Sequence, residues 1–193
     1  MSVFNIYMTG VGGQGIGLLS EVLLRAADHA GLKVKSVDTH GLAQRGGIVV
    51  SQLRIGQNAF SPLIGAHAAD LVVALERHEA MRAAEKALKA SGTLIYYDTV
   101  WQPLPVRLGE AEEISSRTIE KKCETLQSRL IKVIRPALKD PRMQNMVVLA
   151  NISKHHLIQG LDIDHYHQAM HDLMADAVLE QNLALFDEER LSG

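Results

Sequence analysis

Two glycine-rich segments hold the residues whose types and spacing suit chemistry. The first, Gly10-Val11-Gly12-Gly13-Gln14-Gly15, fits the pattern G-x-G-x-x-G between a short apolar run and an amphipathic one. In that strand-to-helix context the backbone N–H groups at a helix start face an anion. Gly10 permits the tight turn, and Gly12 permits close approach of a phosphate or carboxylate. Asp38 ends the next predicted strand, near where a ribose-binding carboxylate would sit. Spacing alone leaves two readings open, a dinucleotide pocket and a tight turn with no ligand.

The second segment, Thr39-His40-Gly41-Leu42-Ala43-Gln44-Arg45-Gly46-Gly47, sets a glutamine and an arginine among small residues where one strand ends and another begins. Arginine offers a planar fork of donors for carboxylate or phosphate, and glycines let a large anionic group reach the backbone. The ordinary alternative is a surface loop with a solvated Arg45. The small residues Gly41, Ala43, Gly46 and Gly47 exceed what a linker needs, and a plain dinucleotide-binding domain has no use for such a segment. His40 could orient a ligand or donate a proton.

The elements that would position these loops alternate in type. Val3 to Met8 is a buried strand by composition, and Leu18 to Ala30 an amphipathic helix with Gly31 beyond its end. Strands are predicted at Val34–Val37, Ile48–Ile55, Leu71–Leu75 and Thr93–Tyr97, with a helix over Arg77–Lys89. In the third strand Val49, Ser51, Leu53 and Ile55 share one face, and Val50, Gln52 and Arg54 the other. Ala59-Phe60-Ser61 reads as a short returning strand stopped by Pro62, which would make an antiparallel hairpin.

Residues 99–113 read as a connection, with a short strand at Val106-Arg107-Leu108. Beyond it the spacing predicts one helix carrying Ile119, Cys123, Leu126, Leu130, Val133 and Ile134. Another follows over Asn145–His155. A last helix is capped by Asp164 and striped by Met170, Leu173, Met174, Ala177 and Val178. The sum is a single three-layer α/β/α, Rossmann-like domain over residues 1–193 with a mostly parallel mixed sheet. Residues 1–98 form its α/β core, and residues 99–193 a connection plus C-terminal helices.

Composition narrows the function. Against 22 Asp+Glu stand 20 Lys+Arg, which argues against a nucleic-acid binder. No apolar run is long enough to span a bilayer, and the start lacks the basic stretch of a secretory signal, so a cytoplasmic protein away from the membrane is expected. One cysteine cannot hold an iron–sulfur cluster that wants about four thiolates. Cys123 reads as a core residue. His167 and His171 share a helix face, with His155, His156 and His165 nearby, and solvated histidines rather than a metal site are expected. Trp101 suits either an interface or burial over its own domain.

The two glycine segments in order, followed by Val49-Val50-Ser51-Gln52-Leu53-Arg54-Ile55-Gly56, resemble the gamma subunit or domain of 2-oxoacid:ferredoxin oxidoreductases. The Ala43-Gln44-Arg45-Gly46-Gly47 form looks most like the small beta subunit of the indolepyruvate enzymes. Ser61-Pro62-Leu63-Ile64, Ala69-Asp70 and Asn145-Met146-Val147-Val148-Leu149 also look like that family. The resemblance implies oxidative decarboxylation of a 2-oxoacid, with an aryl pyruvate such as indolepyruvate favoured. The acyl group goes to coenzyme A and the electrons to ferredoxin. It implies that thiamine diphosphate, Mg2+ and the iron–sulfur clusters sit on a larger partner subunit, that this chain binds no cofactor alone, and that it is inactive alone. Gly12, Gly13, Gln14, Gly15, His40, Gln44, Arg45, Gly46 and Gly47 would then face the coenzyme A phosphates or the substrate carboxylate, with Arg45 foremost and Arg54 a weaker candidate. A stand-alone NAD- or nucleotide-binding domain is the alternative, and a scaffold with an unused pocket a third.

Overall fold

The computed structural model describes residues 3–40, 47–101, 106, 108–109, 112–136, 138 and 140–192, with Thr39 and His40 as backbone only. Its strands are β1 (Phe4–Val11), β2 (Val34–His40), β3 (Ile48–Ile55), β4 (Ala69–Ala74), β5 (Leu88–Tyr97) and β6 (Arg129–Val133). Helices are α1 (Ile16–His29), α2 (Arg77–Lys86), α3 (Ser116–Thr125), α4 (Gln144–Lys154), α5 (Ile163–Leu173) and α6 (Asp176–Leu191), with a 3-10 turn at Pro141–Met143.

The sheet runs β2-β3-β1-β4-β5-β6. β3 lies antiparallel to both β1 and β2, and the remaining pairings are parallel. Alternation along β1 feeds two cores. Ile6 and Met8 pack with Leu19, Val22 and Leu23 of α1, whereas Tyr7 packs with Ala80, Ala83 and Ala84 of α2. α1, α4, α5 and α6 cover the first face; α2 and α3 lie on the second. This is the expected mixed α/β sandwich.

Local chemistry explains the element ends. The α1 stripe Ile16, Leu19, Val22, Leu23, Ala26 and Ala27 is buried, and Gly31 at φ 67 reverses the chain so that the Leu32 N–H reaches the Ala27 carbonyl at 2.9 Å. Ser115 caps α3 by accepting from the Thr118 N–H at 3.2 Å. α4 is buried from Gln144 through Ser153, as a helix wedged between the sheet and α6 must be.

Several expectations are corrected. Ala59-Phe60-Ser61 is not a strand. Both edges of β3 are already occupied by β1 and β2, so the antiparallel hairpin forms with β2 instead. Val106 and Leu108 lie in a turn closed by the Gly109 N–H on the Val106 carbonyl at 3.1 Å, and Arg107 is outside the described residues. The helix predicted through Ile134 stops at Leu126. Gln127 takes a left-handed φ of 50, and 129–133 becomes β6, filling the exposed flank of β5. The second helix ends at Lys86 because Leu88 enters β5. Asp162, not Asp164, caps α5 through a capping box with His165. The last stripe is two helices: Met174 and Ala175 are extended, Asp176 has φ 50, and Ala177 and Val178 face solvent.

Phe186 anchors α6. Its ring is fully buried, 5.8 Å from that of Tyr166 and 5.7 Å from that of His167. Phe186→Ala should cost about 3–5 kcal/mol of unfolding free energy, measured by urea denaturation of the isolated chain.

Candidate functional site

Gly47, the end of the second glycine segment, meets the first segment at the C-terminal end of β1. Gly10 is paired with Val49 and Val11 with Ile48, and the Gly12 N–H donates to the Gly47 carbonyl at 2.8 Å. Because β2 runs parallel to β1, its terminal His40, paired with Val49, arrives at the same end. The His40 side chain and Gln44, Arg45 and Gly46 lie outside the described residues.

Within the first loop each residue has a distinct task. Gly13 is exposed at φ 102, and a Cβ placed there would meet open space. Gly15 caps α1 at φ 82, and a Cβ on it would collide with the Asn145 side chain, whose Nδ2 donates to the Gly15 carbonyl at 3.2 Å. The left-handed φ and this close approach both favour glycine at that position. Having no side chain, Gly15 offers the first N–H groups of α1 no cap, so that helix end keeps its positive polarity.

Gln14 turns away from the proposed ligand side. It is fully buried, its Oε1 accepts from the Val11 N–H at 2.7 Å, and its Nε2 donates to the Leu75 carbonyl at 2.9 Å. Its side chain is committed to bracing the loop against the end of β4. Arg54 is likewise structural. Its Nε donates to Asn5 Oδ1 and its Nη1 to the Ser61 carbonyl, each at 2.9 Å, at the other end of β3.

The nucleotide reading loses its carboxylate. β3 separates β2 from β1, so Asp38 sits two strands away, about 10 Å at the usual strand spacing. Its Oδ1 accepts instead from Ser20 of α1 at 3.4 Å. A ribose held on the β1 loop would need that acid on the adjacent strand.

A polar network beside these loops was not legible in the sequence. Thr9 Oγ1 donates to Glu79 Oε2 at 2.9 Å, and Glu76 caps α2 by accepting from the Glu79 N–H. Burial raises the carboxyl pKa of both glutamates; Arg82 and the Thr9 hydroxyl work against it at Glu79, and the backbone N–H groups of Glu79, His78 and Trp101 at Glu76. Arg77 Nε donates to Asp98 Oδ1 at 2.5 Å, and Ser116 donates to it at 3.0 Å. Burial alone would raise Asp98, but the hydrogen bonds from Arg77 and Ser116 and the nearby Arg77 and Lys132 charges hold it below the usual carboxylate range. Asn145, by contrast, had a sequence signal in its Asn-Met-Val-Val-Leu run.

The remaining candidates are structural. Cys123 lies on the buried face of α3, and burial pushes its thiol up to about 11. His167 meets Asp187 at 2.8 Å and His29 meets Asp172 at 2.9 Å, tying α5 to α6 and α1. Among the described residues no group of three His, Cys, Asp or Glu is placed to hold a metal ion. No helix among them is long and apolar enough to cross a membrane.

Two measurements test this geometry. Gln14→Leu removes the bonds to Val11 and Leu75 and should cost about 2–4 kcal/mol in chemical denaturation. Asp98, depressed in the folded chain, contributes stability that is full above its unfolded value, near 3.9, and is lost as pH falls through the lower folded value. Asp98→Asn should therefore flatten the acid limb of the stability–pH curve, while Glu76 and Glu79, raised on folding, act with the opposite sign.

Known proteins share this architecture and sequence. A family model described as pyruvate ferredoxin/flavodoxin oxidoreductase matches residues 5–190. The chain is 31% identical over 192 residues, covering 93% of it and 90% of the relative, to indolepyruvate oxidoreductase subunit IorB of Archaeoglobus fulgidus. It is 41% identical over 92 residues to the IorB subunit of Methanothermobacter thermautotrophicus, covering 48% of this chain and 46% of that one. In fold it resembles pyruvate oxidoreductase subunit PORC of Thermotoga maritima, with TM-score 0.67 and 18% identity over 98% of this chain and 96% of that one. It also resembles a 2-oxoglutarate:ferredoxin oxidoreductase from Magnetococcus marinus with 2-oxoglutarate, coenzyme A and succinyl-CoA bound, with TM-score 0.69 and 20% identity. There 98% of this chain corresponds to 31% of the longer one.

Proposed function

The chain belongs to the pyruvate ferredoxin/flavodoxin oxidoreductase family, as a small, IorB-like subunit, and we propose that it completes the active-site cleft of a thiamine-dependent 2-oxoacid:ferredoxin oxidoreductase. The substrate class is a 2-oxoacid, with aryl pyruvates such as indolepyruvate favoured by the IorB relatives. The product is the acyl-CoA thioester, and the electrons pass to ferredoxin through the complex in the cytoplasm.

The observation that carries this reading is the Gly12–Gly47 hydrogen bond. It ties Gly47, the end of the second glycine segment, to the first segment beside the uncapped start of α1. Backbone N–H groups there, and Arg45 from the adjoining segment, would hold an anion, either the coenzyme A phosphates or the substrate carboxylate. Gly13 leaves room for it, Gly12 and Gly15 shape the turn, and Gln14 braces the turn from beneath. His40, Gln44 and Gly46 would join them in holding the anion.

Thiamine diphosphate with Mg2+, when bound by the larger subunit, supplies the carbanion chemistry that breaks the carbon–carbon bond. The described residues of this chain do not fit that group or a cluster. Its one cysteine is buried with a raised pKa, and its acidic residues near the site are engaged with Thr9, Arg77, Arg82 and Ser116. Its own work is therefore binding and orientation.

In the complex reconstituted with the larger subunit, Arg45→Ala should raise KM for coenzyme A or for the 2-oxoacid about 10- to 100-fold, the loss of a charge-assisted contact. The affected substrate identifies the anion, and unchanged steady-state kinetics removes the role. The isolated chain should show no turnover. Tight NAD binding by that isolated chain would instead favour an independent nucleotide-binding domain.

A further inference from the structure

The second face of the sheet is only partly covered. Among the described elements, α2 packs over β1, β4 and β5, and α3 over α2 and β6, with neither laid across β3 or β2. In a three-layer domain, two of six strands without a helix over them are an open position. Register assigns its side chains: Lys35, Val37, Gln52 and Arg54 lie on it, with Ile48 toward the glycine segments.

The strap after β3 lies on this face and is built in an unusual way. Ala59 is fully buried, and the following backbone is held by side chains of β3 instead of a strand ladder. Arg54 Nη1 donates to the Ser61 carbonyl at 2.9 Å, and Gln52 Oε1 accepts from the Ile64 N–H at 2.7 Å. Ser61 Oγ accepts from the Leu63 N–H at 3.2 Å. Yet Phe60 is 82% and Leu63 60% exposed, as is Ile48 at 45%. A loop fixed by this many bonds while pointing apolar side chains at water has already lost the entropy that docking would cost it. Ile48 to Arg54 spans about 20 Å of strand, a length suited to an interface core.

The charges around the patch choose its occupant. Lys33 sits 5.6 Å above the Phe60 ring, Lys35 is exposed beside it, and Arg54 runs beneath the strap. The carboxylate at the inner edge, Asp70, is already paired with Lys89. A second copy of the chain would set lysines against lysines. A partner presenting an apolar contact ringed by carboxylates is complementary. In the Magnetococcus marinus enzyme the matching domain is 31% of one longer chain, joined to the rest of that polypeptide.

From these observations we infer that the β2–β3 face, with Ile48, Phe60 and Leu63 as its apolar anchors and Lys33 and Lys35 as its rim, is where the larger, cofactor-bearing subunit docks. This rests on the subunit reading above and assigns the surface that serves it. The docking face abuts the glycine edge, because Ile48 directly follows Gly47, so association would seat the anion-binding turns against the partner's reactive centre.

The test co-expresses the chain with its larger subunit and measures Kd by titration, with thermal melts of each isolated variant as a folding control. Phe60→Asp and Leu63→Asp should each weaken association at least tenfold without shifting the melt. Val178→Asp, an exposed apolar site on α6, should leave Kd unchanged. Hydrogen exchange on the unsubstituted complex should show residues 56–65 newly protected, an arm that does not depend on any variant folding. Wild-type Kd in both strap variants together with unprotected 56–65 overturns the surface while leaving the subunit reading intact. A wild-type chain that does not associate with the larger subunit overturns both. A homodimer of the isolated chain that Leu63→Asp dissociates assigns the face to a second copy and overturns the choice of partner.

Discussion

β3 uses both edges of its backbone, bonding antiparallel to β1 on one side and β2 on the other. Everything at the candidate site depends on that insertion. A connection from β1 through α1 to a parallel β2 would ordinarily bring β2 beside β1, with one glycine loop at the crevice. With β3 between them, the β2–β3 connection must turn at the C-terminal end of β1. Gly47, the last residue of the second glycine segment, is thereby delivered onto the first, joined by the Gly12–Gly47 hydrogen bond. The same insertion carries Asp38 away from the loop, which removes the acid a dinucleotide would need there.

The loop is held by buried amide side chains. Gln14 bridges the Val11 N–H and the Leu75 carbonyl from a fully buried position, and Asn145 reaches from α4 to the Gly15 carbonyl. Both are amides supplying bonds that a glycine-rich turn cannot make for itself. Preorganisation of this kind lets backbone N–H groups bind an anion without reordering at the moment of binding. Arg77, Asp98 and Ser116 perform the corresponding service at the ends of β4 and β5, tying the start of α2 to that of α3.

Composition and burial together bear on the proposed division of labour. The one cysteine is buried with its thiol pKa raised, and the carboxylates of Glu79 and Asp98 are engaged with internal partners. On the subunit reading proposed above, the exposed Phe60 and Leu63 on their bonded strap acquire a reason.

Local pattern determined a good deal by itself. β1, α1, β3, β4 and α4 were legible because each carries its periodicity, and its stop signal, within its own residues: the glycines after Val11, Gly31 after α1, the alternation of Ser51, Leu53 and Ile55. The glycine segments and their kinship were legible for the same reason. Tertiary structure alone decided the rest. Leu130 and Val133 continue the helical spacing of Ile119 and Cys123, and only the open flank of β5 makes them strand. Met174 to Val178 continue the stripe of α5, yet Met174 and Ala175 are extended and a separate α6 begins at Asp176, its Phe186 packed against Tyr166. Gln14 reads as a ligand-binding group until the Leu75 carbonyl, remote in sequence, is seen beside it. A residue's neighbours along the chain are written in the sequence, whereas competition for a shared sheet edge or a buried carbonyl is settled between segments far apart, where no local periodicity records the outcome.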